Sequence, residues 1–136
     1  MTKISAKILL VILITAGTAL ASLTFEYFTG RTNSDGILLE WKTGDESGTT
    51  KFEIERSAST PNNFIFVKTI YATGNNSYYS YQDNGVGFKD NSSSVYYYRL
   101  KCVNSNSSYS YTNTITVVHT VSGIKNTWGS IKAIFR

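Results

Sequence analysis

Two residues could carry acid–base or metal chemistry by type, because His119 and Cys102 are the single histidine and the single cysteine of the 136-residue chain. A zinc site needs several such ligands and a serine triad needs a histidine held by a third group, so neither site is predicted. We expect His119 to be solvated at a strand end. Cys102 lies in the alternating run 96–102, which favours a buried, unreactive thiol, and one cysteine excludes an intramolecular disulfide.

The acidic residues could serve as the paired carboxylates of a glycosidase or as calcium ligands. Glu53 and Glu55 stand two residues apart in a predicted strand, so we expect both to point outward and to pair with cations across the sheet. Asp45 and Glu46 lack the D-x-D-x-D spacing of a calcium loop, so we expect solvated turn acids. The glycines of 85–87 precede no helical stretch, which argues against a phosphate-binding loop. The sequence therefore predicts no cofactor and no enzyme.

Tyrosine is the one compositional excess, with ten residues in the chain. Strand alternation places Tyr96 and Tyr98 on one face and Tyr97 on the other, so some tyrosines must be exposed. An exposed tyrosine offers rigid, amphipathic area that can stack on a sugar ring or form a protein interface, and the alternative is a cross-strand pair without a ligand. The candidate binding surface consists of Tyr78, Tyr97, Tyr109, with Tyr111 as an alternative to Tyr109, and Trp128.

These residues must be positioned by β-strands, because apolar residues recur at every second position in short runs separated by Gly, Asn, Asp and Ser. The pattern predicts an all-β fold, a seven-stranded immunoglobulin-like sandwich. Trp41 is expected at the core centre and Leu100 on the inner face of the sixth strand, whereas the irregular fourth strand is expected at a sheet edge. The first strand is expected to carry Leu23, Phe25 and Tyr27 on one face. The predicted strands are Leu23–Thr29, Ile37–Lys42, Lys51–Ser57, Phe64–Ala72, Tyr79–Tyr81, Val95–Val103 and Tyr109–His119.

The first 21 residues have the organisation of a secretory signal peptide. Lys3 and Lys7 form a positive region, Ile8–Ile14 is apolar, and a small-residue region ending at Ala21 fits cleavage before Ser22. The rival interpretation is a membrane anchor, but spanning a bilayer takes about 20 apolar residues, and polar residues dilute this run after position 14. We therefore predict a signal-peptide helix and an exported chain that is secreted, periplasmic or at the cell surface.

Charge separates a domain at residues 22–120 from a tail at residues 121–136. The formal charge of the whole chain is +4, but the domain holds eight basic and nine acidic residues, a net charge of −1. Because nucleic-acid binding needs clustered Lys and Arg, this balance argues against a nucleic-acid partner. The tail combines Lys125, Lys132 and Arg136 with Trp128 and no acid. It could dock on a partner, line the sandwich edge or touch an anionic membrane surface.

Residues 96–104, YYYRLKCVN, resemble the sixth strand of fibronectin type III domains, in which a tyrosine, alternating apolar residues and a closing asparagine recur at this spacing. With ILLEWKT, FEIERS and YSYQD, the stretch 23–118 resembles the fibronectin-like module of secreted proteins from Bacteroidota-type bacteria. The resemblance implies that Tyr96 fills the tyrosine-corner position and hydrogen-bonds to the backbone of the preceding loop. In that family a sorting domain read by type IX secretion commonly follows the module. Residues 121–136 are too few for one, so type IX export is not expected.

The predicted function is that of a non-catalytic secreted or cell-envelope module that binds or supports another protein. We predict this function because the residues of catalytic type do not form a recognisable catalytic site in the sequence. The alternative function is carbohydrate binding through exposed tyrosines. The expected partner is accordingly an envelope or extracellular protein, with a glycan as the alternative.

Overall fold

Eight strands are present in residues 22–86 and 94–119, the part of the chain that the computed structural model describes. The strands are β1 Phe25–Asn33, β2 Gly36–Thr43, β3 Thr49–Ala58, β4 Ile65–Tyr71, β5 Tyr78–Asp83, β6 Ser94–Asn104, β7 Tyr109–Tyr111 and β8 Ile115–His119. They form two antiparallel sheets, one of order β1-β2-β5 and one of order β4-β3-β6-β7, in which β8 also pairs with β6. The prediction of an all-β fold built from antiparallel sheets is confirmed.

Several predicted segments lie outside the described residues. These are the signal peptide at 1–21, the tail at 121–136 with Trp128, and most of the loop to which the Tyr96 phenol is expected to bond. Within the described ranges, no helix has the length and apolar character needed to cross a membrane.

The last predicted strand, Tyr109–His119, consists of two strands, which corrects the expected count of seven. β7 pairs with Lys101–Val103, whereas β8 pairs with the first half of β6, Ser94–Tyr98. Between them the Leu100 N–H donates to the Thr112 hydroxyl at 2.9 Å, and the Thr112 N–H donates to the Leu100 carbonyl at 3.0 Å. A side-chain oxygen thus replaces a backbone acceptor, so the ladder is interrupted at this point.

The first strand contains a β-bulge that changes which aromatic ring faces the core. Phe25 lies opposite Thr43 and Tyr27 lies opposite Lys42, so Glu26 has no Cα partner. One extra residue reverses the alternation. Phe28 therefore packs edge-on against Trp41, and Tyr27 is exposed. The expectation that Phe25 and Tyr27 share one face is wrong for this reason.

Aromatic rings dominate the core between the two sheets. Trp41 is fully buried, stacks on Tyr79 with ring centroids 5.3 Å apart, and meets Phe52 edge-on at 5.9 Å. Offset and edge-on pairs of this kind are favourable arrangements of the ring quadrupoles. The inner face of β6 contributes buried Tyr96, Tyr98, Leu100 and Cys102. Because these four residues point into the core, the residues between them on β6 point to the outer face of the sheet.

Two edges of the sandwich differ in how they are covered. β1 lies against β8 because Gly30 has no side chain: a Cβ there would lie 2.7 Å from Val117 Cγ2 and 3.2 Å from Ile115 Cδ1. At the other edge, β4 pairs with β3 alone among the described strands, as its irregular pattern predicted. A register shift occurs opposite Ile54 and Glu55, where Val67 is the extra residue of β4.

Candidate binding surface

The outer face of the five-stranded sheet carries alternating cations and aromatic rings. Because Tyr98, Leu100 and Cys102 face the core, the intervening residues Arg99 and Lys101 point outward. β7 adds exposed tyrosines beside them, and Phe64 lies just before β4. We call the set Phe64, Arg99, Lys101, Tyr109 and Tyr111 the aromatic–cation row.

The row is held together by stacking. The Arg99 guanidinium carbon lies 3.9 Å from the Tyr111 ring centroid and 4.1 Å from the Phe64 ring centroid, so it contacts both rings. The Lys101 amine lies 4.4 Å from the Tyr109 ring centroid, and the rings of Tyr109 and Tyr111 meet edge-on at 5.5 Å. Exposed cation–π contacts contribute about 0.5–1 kcal/mol each. Side chains ordered in this way lose less conformational entropy when a partner binds.

Two glutamates on β3 neutralise the cations of the row, as the strand alternation predicted. The Arg99 Nε donates to the Glu55 carboxylate at 2.8 Å. Glu53 lies 3.2 Å from the Lys51 amine and 3.7 Å from the Lys101 amine. Each carboxylate is thus committed to a neighbouring cation, and pairs at such a surface contribute little stability. The face therefore presents aromatic area with little net charge.

The predicted binding residues do not all share this face. Tyr109 lies in the row and is 56% exposed, but Tyr97 is half-buried between its cross-strand neighbours Ser57 and Thr116. Tyr78 is also 56% exposed, yet it lies on β5 in the other sheet. There its hydroxyl donates to the Glu40 carboxylate at 2.7 Å, which raises the pKa of the phenol. Tyr78 and Tyr109 are therefore on different sheets and do not form one surface.

Strand β4 extends the aromatic area in a way that the sequence did not reveal. Phe66 lies opposite Glu55 and Tyr71 lies opposite Lys51, so both rings share the outer face of the row, and they are 61% and 72% exposed. The extra residue at Val67 hides these positions from a search for strict alternation. Phe64, just before β4, and Phe66, within it, are the residues from which this aromatic surface could have been predicted.

A cleft opens at one end of the sandwich, next to Tyr111. It has a volume of about 660 Å³ and lies between the start of β1 and the turn that joins β6 to β7. Its walls include Phe25, Asn104, Asn106 and Ser110. Among the described residues that line this cleft, none has a charged side chain. Its walls thus combine the Phe25 ring with hydroxyl and carboxamide groups.

Glu46 corrects the expectation of a solvated turn acid, because it is only 4% exposed. Its carboxylate accepts hydrogen bonds from the hydroxyls of Thr43 and Tyr79 and from the Gly74 N–H at 3.0 Å. The neighbouring Asp45 accepts bonds from the hydroxyl and the N–H of Ser47, which lower the pKa of its carboxyl. Glu46 therefore joins the β2–β3 loop to the β4–β5 turn, and both of its carboxylate oxygens are bonded within the fold.

Asp83 occupies a comparable place where β5 ends. It is 2% exposed, lies 2.6 Å from the Arg56 guanidinium, and accepts a hydrogen bond from the Tyr98 hydroxyl at 2.7 Å. Burial, together with this hydrogen bond to Asp83, raises the pKa of Tyr98 far above its usual range. The Gly85 N–H binds the second carboxylate oxygen at 3.0 Å. One oxygen thus bonds across the two sheets, and the other fixes the turn that follows β5.

Reactive-thiol chemistry is disfavoured at Cys102. Cys102 is 1% exposed, and burial raises the pKa of its thiol to about 12, so the thiol is protonated at neutral pH. In residues 22–86 and 94–119, no three His, Cys, Asp or Glu side chains come together as a metal site would require. His119 lies at the end of β8, as expected.

Comparison with known proteins gives a likeness in fold. No protein-family model matches the chain, and no curated protein matches it. Among solved structures, the chain is similar to the pectate lyase PelI from Erwinia chrysanthemi, determined in complex with tetragalacturonic acid. The TM-score is 0.51 at 22% sequence identity, over 71% of this chain and 28% of the lyase. At this identity the likeness concerns the fold alone, and this chain spans just over a quarter of the lyase.

Proposed function

We propose that this chain is a non-catalytic, fibronectin type III-like module that binds another protein through the outer face of its five-stranded sheet. Strand order supports the module class: β1, β2 and β5 form one sheet, and β3, β6 and the last strands form the other, the partition of an immunoglobulin-like sandwich. The strand order and the β6 motif carry it.

The aromatic–cation row is the observation that carries the binding role. Interface cores are enriched in Tyr, Phe and Arg and depleted in unpaired charge. The row has this composition, its guanidinium is already stacked, and Phe66 and Tyr71 extend the exposed aromatic area along β4. A surface of ordered rings fits a protein partner because little side-chain freedom is lost on contact.

The acidic groups support a non-catalytic role. A glycosidase needs two carboxyl groups that reach a substrate and differ in protonation. Glu46 and Asp83 are buried and hydrogen-bonded through both carboxylate oxygens, while Glu53 and Glu55 are bound to the cations of the outer face. Each of these carboxylates is occupied within the fold, so the proposal assigns them structural roles.

Export is part of the same proposal, because the pattern of residues 1–21 is that of a cleavable signal peptide. Mass spectrometry of the native chain in separated cell fractions tests it. A mature N-terminus at Ser22 outside the cytoplasm is the expected result. An intact Met1 terminus in the cytoplasmic fraction would refute export.

The binding face is tested with paired variants of the full chain. In the first variant Tyr109→Ser and Tyr111→Ser remove the rings of the row; in the matched control Tyr27→Ser and Tyr78→Ser remove two exposed rings from the other sheet. Each protein is immobilised and incubated with an envelope extract, and captured proteins are quantified by mass spectrometry. We expect the row variant to capture at least ten-fold less of a partner protein that the control captures as well as the parent does. Equal capture by both variants contradicts the proposal, provided that both keep the circular dichroism spectrum of the parent.

A second candidate function, carbohydrate recognition, is favoured by the polar cleft beside Tyr111. Hydroxyl and carboxamide groups next to aromatic rings are the usual composition of sugar sites, in which a ring packs against the sugar and polar groups fix its orientation. The pectate lyase with a similar fold was crystallised with a sugar oligomer, tetragalacturonic acid.

A further inference from the structure

We propose that the open edge of β5 is a second binding site, at which a partner protein adds an extended strand with alternating apolar side chains and one inward-facing carboxylate. This site is separate from the aromatic–cation row, because β5 belongs to the other sheet. Strand addition of this kind takes its affinity from backbone hydrogen bonds and its specificity from alternate side chains.

The backbone of β5 is available along one side. β5 is the last strand of its sheet, and among the described strands it pairs with β2 alone. Its register with β2 runs without a shift from Tyr78 to Asp83, so its outward N–H and C=O groups form a regular row. An edge strand is often protected from pairing by a lysine, a proline or a bulge, and β5 has none of these. The edge of β5 is therefore able to accept another strand.

A place for the added strand exists because β4 extends past β5. The Tyr79 ring meets the Phe52 ring at 5.2 Å and the Asp83 carboxylate binds Arg56, so β5 lies over β3. β4 is the next strand beyond β3, and no described strand of the facing sheet lies over it. Ile65, opposite Arg56 on the inner side of β4, is consequently 55% exposed. A strand paired with β5 would cover this inner side.

The side chains beneath this place define what the added strand must carry. Ile70 lies opposite Phe52 and Lys68 lies opposite Ile54. Because Phe52 and Ile54 point into the core, Ile70 and Lys68 share the inner side of β4. Ile65 and Ile70 fit apolar side chains of the added strand. Lys68 lies between them, is exposed, and has no carboxylate partner among the residues that the structure describes.

Charge favours a partner protein over segments of this chain. A carboxylate on the inner side of the added strand would meet the unpaired Lys68 amine. The tail at residues 121–136 has three cations and no acid, and in a second copy the inward acid of β5, Asp83, is already bound to Arg56. An exposed ion pair contributes up to about 1 kcal/mol, so backbone pairing supplies most of the affinity and Lys68 supplies a preference.

Peptide titration of the full chain tests the inference. The probe is a capped seven-residue peptide in which threonine alternates with valine, glutamate and valine, and its control has lysine in place of glutamate. We expect the glutamate peptide to bind with a Kd below about 1 mM and the lysine peptide to bind at least about three-fold more weakly. Saturating glutamate peptide should slow amide hydrogen exchange in β5 and leave exchange in β7 unchanged. Absence of binding, or protection of β7 in place of β5, would overturn the inference.

A matched pair of charge reversals locates the carboxylate contact. Lys68→Glu should reverse the preference, so that the lysine peptide binds more tightly than the glutamate peptide. Arg31→Glu makes the same change of charge on the outer face of the other sheet and should keep the preference of the parent. An unchanged preference in Lys68→Glu refutes the assigned contact.

Two further outcomes would give the site to another occupant and overturn the inference. The first is peptide binding that appears only after deletion of residues 121–136, which would mean that the tail covers β5. The second is a dimer of the parent chain, measured by sedimentation, that Ser80→Lys dissociates. The double variant Tyr109→Ser and Tyr111→Ser should bind the glutamate peptide as the parent does, so failure of the aromatic–cation row as a binding face is distinguishable from failure of this site.

Discussion

The carboxylate of Asp83 lies 2.6 Å from the guanidinium of Arg56, and the two residues belong to different sheets. The Tyr98 hydroxyl joins the same carboxylate, so one buried acid fixes β5 relative to β3 and β6. Glu46, bonded to Tyr79, links the β2–β3 loop to the β4–β5 turn. A domain without a disulfide is thus held by two carboxylate–tyrosine contacts in addition to its aromatic core.

Removal of the Asp83 carboxylate should strongly destabilise the fold. Asp83→Ala leaves the partly buried Arg56 and the Tyr98 hydroxyl without their acceptor, and we expect the free energy of unfolding to fall by about 3 kcal/mol in urea denaturation. The double variant with Arg56→Met should recover part of that loss. The control Glu53→Ala, which removes an outer-face acid, should cost less than about 1 kcal/mol. Equal losses in Asp83→Ala and Glu53→Ala would contradict this role.

Loss of Glu46 should loosen the β4–β5 turn locally. Glu46→Ala removes the acceptor for the Gly74 N–H and for two hydroxyls, and we expect amide hydrogen exchange at Gly74 to accelerate at least ten-fold. The neighbouring change Asp45→Ala is the control, because Asp45 bonds only to Ser47 and to no group of the β4–β5 turn through its side chain. Unchanged exchange at Gly74 in the Glu46 variant would show that this contact does not hold the turn.

Alkaline pH should weaken the fold through Cys102. Burial raises the pKa of this thiol from an ordinary value of 9.0 to about 12. Below pH 9 both states hold the proton; between pH 9 and 12 the unfolded chain releases it while the folded chain retains it. The free energy of unfolding should therefore fall by about 1 kcal/mol per pH unit from this group. Urea denaturation from pH 8 to 11 measures the slope, which should be shallower in Cys102→Ala; parallel slopes would refute the assignment.

Two glycines with positive φ should respond differently to substitution. A Cβ at Gly36, where φ is 140°, would lie 2.1 Å from the backbone carbonyl oxygen of Asp83, so Gly36→Ala forces strands apart. We expect a loss of more than about 2 kcal/mol in unfolding free energy. Gly48 has φ of 81° with no atom near its Cβ position, so Gly48→Ala should cost about 1 kcal/mol of backbone strain. Comparable melting temperatures for the two variants would be inconsistent with the close approach at Gly36.

The inner faces of the strands could be predicted from sequence, because burial repeats with period two wherever pairing is regular. Trp41, Leu100 and Cys102 lie in the core, and Glu53 and Glu55 pair with cations outside it. In these strands each residue's face follows from its immediate neighbours.

The differences arise where distant parts of the chain decide local structure. The bulge at Glu26 reverses the alternation of β1, and the Thr112 hydroxyl ends β7 by taking a backbone hydrogen bond. Glu46 is buried because Gly74 and Tyr79 bring donors from about 30 residues away. The stack of Phe64 on Arg99 likewise exists only because β4, β3 and β6 are adjacent in one sheet. None of these contacts has a signature within its own segment.

The irregular pairing of β4 affects how copies of this domain meet one another. An open strand edge is a template for self-association, and proteins oppose this with bulges and with lysines at the edge. β4 has both, since Val67 interrupts its register and exposed Lys68 follows it at once. A second copy would find no uninterrupted ladder to extend, and fibre-like growth from this strand is disfavoured. At the β4 side of the sandwich, partners are therefore expected to contact the side chains of the adjoining face and not the backbone edge of β4.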